Sequence, residues 1–357
     1  MEIRTRKIAK LEFHVYLSQP NSKIMTKQPP FNITSEVMNR VAAISELIGK
    51  IQGSGEYRRN LHLRKVNRIR SIQSSLAIEN NSLSTEQVTD IINGKRVLGN
   101  PREIKEVQNA YQAYENMLTF NPFDIKDFLK AHELMTTDLV GEAGKFRSGN
   151  VGVFSDNRVI HIGANPRFVH SLVKELFGWA KTSDIHSLVK SSVVHFEIEF
   201  IHPFADGNGR MGRLWQTLVL SQWHEIFAWI PIETLVYENQ QEYYRVLRNT
   251  EKTADSTEFI EFMLDAILKT LHELPAHKIT DIIPDKITDK LSKSELEFLK
   301  SIIGYLENYG TIDSYHAQLL TNKSAESIKK YFAALVNLNI LKAEGTNKGR
   351  KYKLKKS

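Results

Sequence analysis

The stretch HPFADGNGRMGR, residues 202–213, constrains the fold of this 357-residue chain more than any other segment. It lies between two apolar segments with helical periodicity, SLVKSSVVHFEIEFI at 187–201 and RLWQTLVLSQW at 213–223. Pro203 cannot continue a helix, and a Gly-Asn-Gly sequence favours a turn. The sequence therefore predicts two helices joined by a loop, with His202 at the end of the first helix.

The loop contains the residue types that bind phosphate. Gly207, Asn208 and Gly209 can direct successive backbone amides into one concavity, beside the positive end of the following helix. Arg210 and Arg213 add guanidinium groups, which bind phosphate oxygens in pairs. We therefore expect an anion site of the size of a phosphate group.

Two further residues of the loop indicate chemistry rather than binding alone. Asp206 would repel a bound phosphate unless Mg2+ lay between them, and Mg2+ prefers one carboxylate together with phosphate oxygens. His202 is the residue of the loop that can accept a proton near neutral pH. The combination predicts phosphate transfer assisted by a base.

The twelve residues resemble the Fic motif, His-x-Phe-x-Asp/Glu-Gly-Asn-Gly-Arg-x-x-Arg, and match all eight of its specified positions. The resemblance implies a mainly α fold, a Fic helical bundle with a β-hairpin flap. It also implies transfer of AMP from ATP to a Ser, Thr or Tyr hydroxyl of a target protein, with pyrophosphate leaving.

The same resemblance implies a role for each residue of the motif. His202 would deprotonate the target hydroxyl, and Asp206 would hold Mg2+ on the α- and β-phosphates. Phe204 would pack inward and set the loop. Phosphate would be held by the amides of Gly207 to Gly209 and the side chain of Asn208, and the leaving pyrophosphate would be neutralised by Arg210 and Arg213.

Three other segments carry the resemblance. GKFRSGNVGVFSDNRVIHIG at 144–163 has β-branched residues on both sides of Ser-Asp-Asn and predicts the hairpin, whose edge would pair with the target backbone. VYENQQEYYRVL places Tyr244 where a tyrosine packs against adenine. SLAIEN at 75–80 puts Ser75 and Glu79 on one helical face and resembles the inhibitory motif, in which Glu79 would pair with Arg213.

The chain beyond these motifs predicts a domain order. Residues 1–118 form a helical region that carries the inhibitory helix, 119–273 the catalytic core and 274–290 a linker with two prolines. Residues 291–357 resemble a winged helix-turn-helix, with 324–339 in the recognition position. Residues 342–357 contain seven Lys or Arg and one Glu, so the wing favours DNA, although docking to a protein remains the alternative.

Composition limits the remaining choices. The chain has no cysteine, a net charge of +7 and no long apolar run, so we expect a cytoplasmic protein without a membrane partner. A homodimer is compatible with the sequence. The leading hypothesis is a self-inhibited adenylyltransferase that uses ATP and Mg2+. The alternatives are Doc-like transfer of the terminal phosphate, which Arg213 disfavours, removal of AMP from a modified protein, and a DNA-binding regulator whose Fic domain senses nucleotide.

Overall fold

The structure is a computed structural model, and the chain falls into two compact units, residues 1–47 with 68–271 and residues 48–67 with 272–357. It describes residues 3–7, 28–54, 61–155, 158–273, 290–321, 323–346 and 349–355. The expected linker at 274–290 lies outside these residues, apart from Lys290. So does the hairpin tip at 156–157.

Helices dominate the described residues, as expected. The helices before the loop at 202–207 are α1 Ser35–Ser54, α2 Leu61–Ile78, α3 Thr85–Ile92, α4 Pro101–Asn116, α5 Ile125–Thr136, α6 Pro166–Thr182 and α7 Ser187–Ile201. Those after it are α8 Asn208–Trp223, α9 Ile232–Glu238, α10 Gln240–Thr253, α11 Thr257–Glu273, α12 Lys293–Tyr309, α13 Ser314–Thr321 and α14 Ala325–Asn337.

Local capping explains where several helices begin. Asn100 and Asn165 each accept a hydrogen bond from the second helical amide and each precede a proline at the first helical position, so α4 and α6 start in the same way. Ser84 and Gln87 form a capping box at the start of α3. Helix α3 had not been expected, although the Ser-x-x-Gln pattern of its capping box was a usable signal.

Helices α7 and α8 form the centre of the first unit. Twelve of the sixteen residues of α8 are buried, so the helix is enclosed on all sides. Trp215 packs edge-on against Phe128 at 4.8 Å and donates a hydrogen bond to the Pro122 carbonyl. The two helices approach closely because Gly212 has no side chain. A Cβ atom added there would lie 2.6 Å from the ring of His195. The loop at 202–207 is thereby fixed between two rigid elements.

The predicted hairpin is confirmed and belongs to a larger sheet. Strands β2 Val151–Ser155 and β3 Arg158–Ile162 pair antiparallel, with an irregularity between Val153 and Phe154. Strand β1, Ile3–Lys7, pairs antiparallel with β2 and gives the order β1-β2-β3. Strands β2 and β3 together form the flap. The third strand had not been predicted from sequence.

The C-terminal part of the second unit is a winged helix-turn-helix, as expected. Its three helices α12 to α14 pack on a sheet of order β4-β6-β5, formed by Ile312–Asp313, Lys351–Leu354 and Leu341–Glu344. Phe332 of α14 stacks on Tyr352 of β6 at 3.9 Å. Within the described part of the chain, no helix has the length and apolar character needed to cross a membrane.

Candidate active site

His202 lies at the C-terminal end of α7 in the left-handed backbone conformation, with φ 52° and ψ 60°. Its Nδ1 is 3.2 Å from the carbonyl oxygen of Glu199, so Nδ1 carries the hydrogen of the neutral ring. Burial, with a smaller contribution from the charge of His161, lowers the pKa of His202 to about 3. The ring is therefore neutral, and Nε2 has a free lone pair for a substrate proton.

Arg147 holds the His202 backbone in this strained conformation. The buried guanidinium donates to the carbonyls of His202 at 2.6 Å, Gly149 at 2.8 Å and Ala164. Burial lowers the pKa of Arg147 to about 10. A Cβ atom at Gly163 would lie 2.8 Å from the Arg147 Nη2 atom and 2.9 Å from the His202 Cβ atom, so glycine is required for this approach. In the sequence, nothing distinguished Arg147 from a surface arginine.

The loop after His202 is closed by Phe204 and Asn208. The Asn208 side chain accepts from the Phe204 amide at 2.8 Å and donates to the Phe204 carbonyl at 2.9 Å. His132 stacks on the Phe204 ring at 3.7 Å. Phe204 is buried as expected, but the Asn208 side chain holds the loop instead of pointing toward a phosphate.

Helix α8 begins within the motif, five residues earlier than the periodicity had indicated. Gly207 has φ 86° and precedes the helix, and the first helical hydrogen bond runs from the Met211 amide to the Gly207 carbonyl at 3.0 Å. The amides of Asn208, Gly209 and Arg210 thus form the open first turn, where backbone donors lack helical acceptors. This turn is the predicted anion site, shorter and more rigid than a loop.

Asp206 lies at the mouth of this turn as a paired carboxylate. Burial opposes its ionisation, but Arg210 at 3.2 Å, the Gly207 amide at 2.6 Å and Arg102 at 3.2 Å hold the pKa of Asp206 below its ordinary value. Sequence reasoning did not identify Arg102, which lies far away in the chain on α4. The carboxylate is ionised and partly exposed, and this state suits Mg2+.

The donor set fits magnesium held jointly by protein and phosphate. Within the described segments, no group of three or more His, Asp or Glu side chains is arranged to bind a metal ion by itself. A single carboxylate such as Asp206 needs phosphate oxygens and water to complete the octahedral coordination of Mg2+. Asp206 is thus the residue that could hold the ion once phosphates are bound.

Arg213 meets the residues of the SLAIEN segment. Its Nη2 atom is 2.7 Å from Glu79 Oε1 and 3.0 Å from the Ser75 carbonyl, and its Nε atom is 3.0 Å from the Ser75 hydroxyl. Burial would lower the pKa of Arg213, but Glu79 and neighbouring groups keep it raised. Glu79 directly follows α2, and Asn80 ends the turn with φ 67°. The predicted contact between Glu79 and Arg213 is present.

Several buried donors of the site have no hydrogen-bond partner within the described part of the chain. A buried guanidinium that leaves donors unpaired is destabilising unless an anion occupies the site. The acceptor atom of the histidine beside it is likewise unfavourable when buried alone, unless a donor such as a hydroxyl group meets it. These atoms are Nε and Nη1 of Arg210, Nη1 of Arg213 and Nε2 of His202.

The two tyrosines of α10 have different surroundings. Tyr243 is fully buried and its hydroxyl contacts Glu199 at 3.2 Å and His195 at 3.0 Å. Tyr244 donates to the Ile78 carbonyl at 3.1 Å and lines an open cavity next to His202. Burial raises the pKa of Tyr244 above its ordinary value, so the hydroxyl stays protonated. Of the two tyrosines, Tyr244 is the one that lines the cavity.

Known proteins share these features. The sequence pattern described as the Fic/DOC family matches residues 122–220. The protein adenylyltransferases Fic of Culex quinquefasciatus and Drosophila melanogaster are each 28% identical, over 57% and 56% of this chain. The chain spans about two fifths of the length of these relatives, 41% and 40%.

Solved structures extend the likeness over most of the chain. A Fic family protein from Desulfovibrio desulfuricans is 37% identical with a TM-score of 0.69, covering 93% of this chain and 99% of that one. A Fic protein from C. elegans is 20% identical with a TM-score of 0.54, covering 66% of this chain and 71% of that one, and shares the fold alone. The described site, the sequence pattern and the bacterial structure agree, and this chain belongs to the Fic/DOC family.

Proposed function

We propose that this protein transfers AMP from ATP to a hydroxyl group of a target protein and that Glu79 inhibits the reaction. The unpaired donors of Arg210 and Arg213, together with the free Nε2 atom of His202 in the same motif, are the observation that carries the proposal. They form a buried cationic site with a base at its edge. A polyphosphate would accept hydrogen bonds from the arginine donors, and a hydroxyl group would donate one to Nε2 of His202.

Each residue has a part in the proposed reaction. The first turn of α8 and the two arginines bind the phosphates, and Asp206 holds Mg2+, which reduces the negative charge at the phosphates. His202 takes the proton of the target hydroxyl, whose oxygen bonds to the α-phosphorus as the bond to pyrophosphate breaks. Because phosphate charge stabilises the imidazolium, nucleotide binding raises the pKa of His202 and makes it a stronger base.

The contact of Glu79 with Arg213 supports self-inhibition. While Glu79 accepts from Nη2 of Arg213, that donor is not free for a phosphate oxygen. A nucleotide bound in this state keeps the contacts of its adenine but loses one guanidinium contact at the terminal phosphate. Misplaced phosphates are not in line for attack on the α-phosphorus, so the rate falls even when ATP is bound.

Labelled ATP distinguishes the candidate reactions. We expect the Glu79→Gly variant, incubated with ATP and Mg2+, to attach label from the α-phosphate covalently to itself or to a protein of the source lysate. Attachment of γ-label would instead establish Doc-like phosphotransfer. Release of AMP from a previously modified protein, faster with Glu79 than without it, would make AMP removal the principal activity. Nucleotide binding without any of these reactions would support a nucleotide-sensing regulator.

DNA binding is a second candidate function, for the winged helix-turn-helix alone. Most cations of α14 and the wing are exposed, Lys353 pairs with Glu344, and Lys330 interacts with Glu295. Such a surface suits the phosphate backbone of a duplex. A gel shift with duplex DNA at low salt tests it, and the absence of any shift would favour docking to a protein.

A further inference from the structure

The two carboxylate oxygens of Asp206 have different partners. Oδ1 accepts from the Gly207 amide at 2.6 Å and lies 3.2 Å from Nη2 of Arg210, so both of its donors come from the same motif. Oδ2 lies 3.2 Å from Nη2 of Arg102, at the start of α4. Among the described residues, Arg102 is the only hydrogen-bond donor to Oδ2. One oxygen is thus held by its own loop, and the other is covered by a residue from a distant helix.

The two arginines differ in how readily they can leave the carboxylate. The Arg210 side chain is 5% exposed, whereas that of Arg102 is 55% exposed. A packed side chain has little room to move, while an exposed one can exchange its partner for water at little cost. The Asp206 side chain is 37% exposed, so an ion can reach it from solvent. Because Oδ1 already accepts from two donors, Oδ2 is the oxygen available to Mg2+, and Arg102 covers it.

A second carboxylate holds Arg102 in this position. Its Nε atom is 3.4 Å from Glu106 Oε1, so the guanidinium bridges Glu106 and Asp206. The other oxygen of Glu106 accepts from Asn81 Nδ2 at 2.9 Å. Asn81 is buried and lies two residues after Glu79. The segment that carries Glu79 is therefore connected, through Glu106 and Arg102, to the carboxylate that could hold the metal ion.

The contact of Arg102 with Asp206 has a larger effect on a cation than on the fold. Ion pairs of exposed side chains contribute little to folding stability. Mg2+ and a guanidinium, in contrast, cannot both contact Oδ2, because they carry like charges and use the same lone pairs. An ion that binds Asp206 must therefore displace Arg102.

We propose that Arg102 competes with Mg2+ for Oδ2 of Asp206 and thereby reduces the gain in nucleotide affinity that Mg2+ provides. The inference rests on the proposed function for the metal role of Asp206. Arg102 is a positioning residue in this scheme, since it acts on the carboxylate and not on the reacting atoms. With Glu79 on Arg213 and Arg102 on Asp206, one N-terminal segment restrains both the phosphate contact and the metal contact.

Direct binding tests the competition without requiring catalysis. Isothermal titration of the full-length chain with ATP, in saturating Mg2+ and in EDTA, gives two dissociation constants. Their ratio, EDTA over Mg2+, is the magnesium gain. We expect Arg102→Gln to raise the magnesium gain about twofold to fivefold, the range of an exposed ion pair, through tighter binding in Mg2+ alone. An unchanged magnesium gain would overturn the proposal, and so would a smaller one, which would make Arg102 a phosphate ligand.

Matched variants separate the contact from a general loss of charge. Lys130→Gln removes one exposed cation from α5 and should leave the magnesium gain at its wild-type value. Arg102→Lys keeps the charge but cannot bridge two carboxylates, so the magnesium gain should rise, though less than in Arg102→Gln. Glu106→Gln loosens the guanidinium and should act in the same direction. A wild-type magnesium gain in Arg102→Lys would overturn the proposal, because charge alone would then explain the effect of glutamine.

Asp206→Asn distinguishes failure of this inference from failure of the proposed function. Asparagine lacks the charge that attracts Mg2+, so the magnesium gain should fall, and Arg102→Gln added to it should no longer raise the gain. A magnesium gain unchanged by Asp206→Asn would remove Asp206 from the metal role and, with it, this inference. A gain that depends on Asp206 but not on Arg102 would leave the proposed function standing and overturn this inference alone.

Discussion

The helix pair α7 and α8 and the winged helix-turn-helix use their charged residues in opposite ways. At α7 and α8, two arginines and the neutral His202 are buried, with Arg210 4%, Arg213 3% and His202 4% exposed, and their contacts are specific. In the winged helix-turn-helix the core is apolar, and Lys329, Lys330 and Lys351 lie on the surface. One region concentrates charge in low dielectric, and the other spreads it over a solvated face.

The difference predicts how each region responds to substitution. A buried charge interacts strongly with its few partners, so removal of one residue should have a large and specific effect. An exposed charge is screened by water and salt, so each residue should contribute a small share to a collective attraction. The following substitutions test this contrast, in order of decreasing effect.

The largest effect is expected from His202→Ala. Removal of a general base costs about a hundredfold to ten-thousandfold in rate, whereas the binding of Mg2+ and ATP should stay near normal because the α8 turn and the arginines hold the phosphates. Transfer of α-label in the Glu79→Gly background measures the rate, and titration measures binding. His170→Ala, an exposed histidine of α6, is the control and should keep full activity. If the His202→Ala variant still transferred AMP, His202 would not be the general base.

Glu79→Gly should raise AMP transfer because it frees Nη2 of Arg213 for a phosphate. A charge-assisted hydrogen bond contributes about 1.5 to 3 kcal/mol, or roughly tenfold to a hundredfold, and screening favours the lower value because the Glu79 side chain is 38% exposed. Arg213→Ala added to Glu79→Gly should lose most of the gain, and Glu79→Asp should give a smaller gain than glycine. Labelling unchanged by Glu79→Gly would refute self-inhibition.

Acid should destabilise the wild-type chain more than the His202→Ala variant. The pKa of His202 is lowered to about 3 in the folded state from an ordinary value of 6.5, so the unfolded chain binds the proton first as the pH falls below 6.5. Between about pH 7.5 and about pH 5.5 this proton should cost the wild type about 1.4 kcal/mol of unfolding free energy relative to the variant. Urea denaturation at both pH values measures the difference. An identical pH dependence would mean that His202 is not held neutral.

The smallest effect is expected from single cations of the wing. Lys351→Ala should weaken duplex binding by a few-fold, equally for different DNA sequences, and should lower the slope of log affinity against log salt by about one. Lys130→Ala, an exposed lysine of α5 paired with Glu133, should change neither quantity. A loss confined to one DNA sequence would show that the wing reads bases and would break the contrast between the two regions.

Sequence reasoning succeeded where the signal was local. The periodicity of α7 and α8, the β-branched residues of the hairpin and the eight positions of the motif lie within short windows. The structure contains these helices and strands, although α8 begins five residues before its predicted start. The contact of Glu79 with Arg213, 134 positions apart, was available only because each residue belongs to a recognisable motif.

The rest depended on contacts that no short window contains. Arg147 acts on a carbonyl 55 positions away, and Arg102 reaches Asp206 over 104 positions. Strand β1 pairs with a strand roughly 150 positions later and is too short for alternation to be decisive. The Asn208 side chain was assigned to phosphate because an amide can serve either purpose, and only the Phe204 backbone beside it decides between them.

In the proposed mechanism, the glycine at position 209 couples nucleotide binding to the contact of Glu79 with Arg213. A Cβ atom there would touch the Glu79 carboxylate and lie 3.2 Å from Glu199, in the first turn where the phosphates are proposed to bind. Two anions cannot share so small a space, so the nucleotide and the end of α2 exclude each other to the degree that they overlap. By thermodynamic linkage, whatever tightens Glu79 on Arg213 weakens phosphate binding by the same factor. Hydrogen exchange at the end of α2 should therefore speed up as ATP saturates the chain, which makes that helix end a reporter of site occupancy.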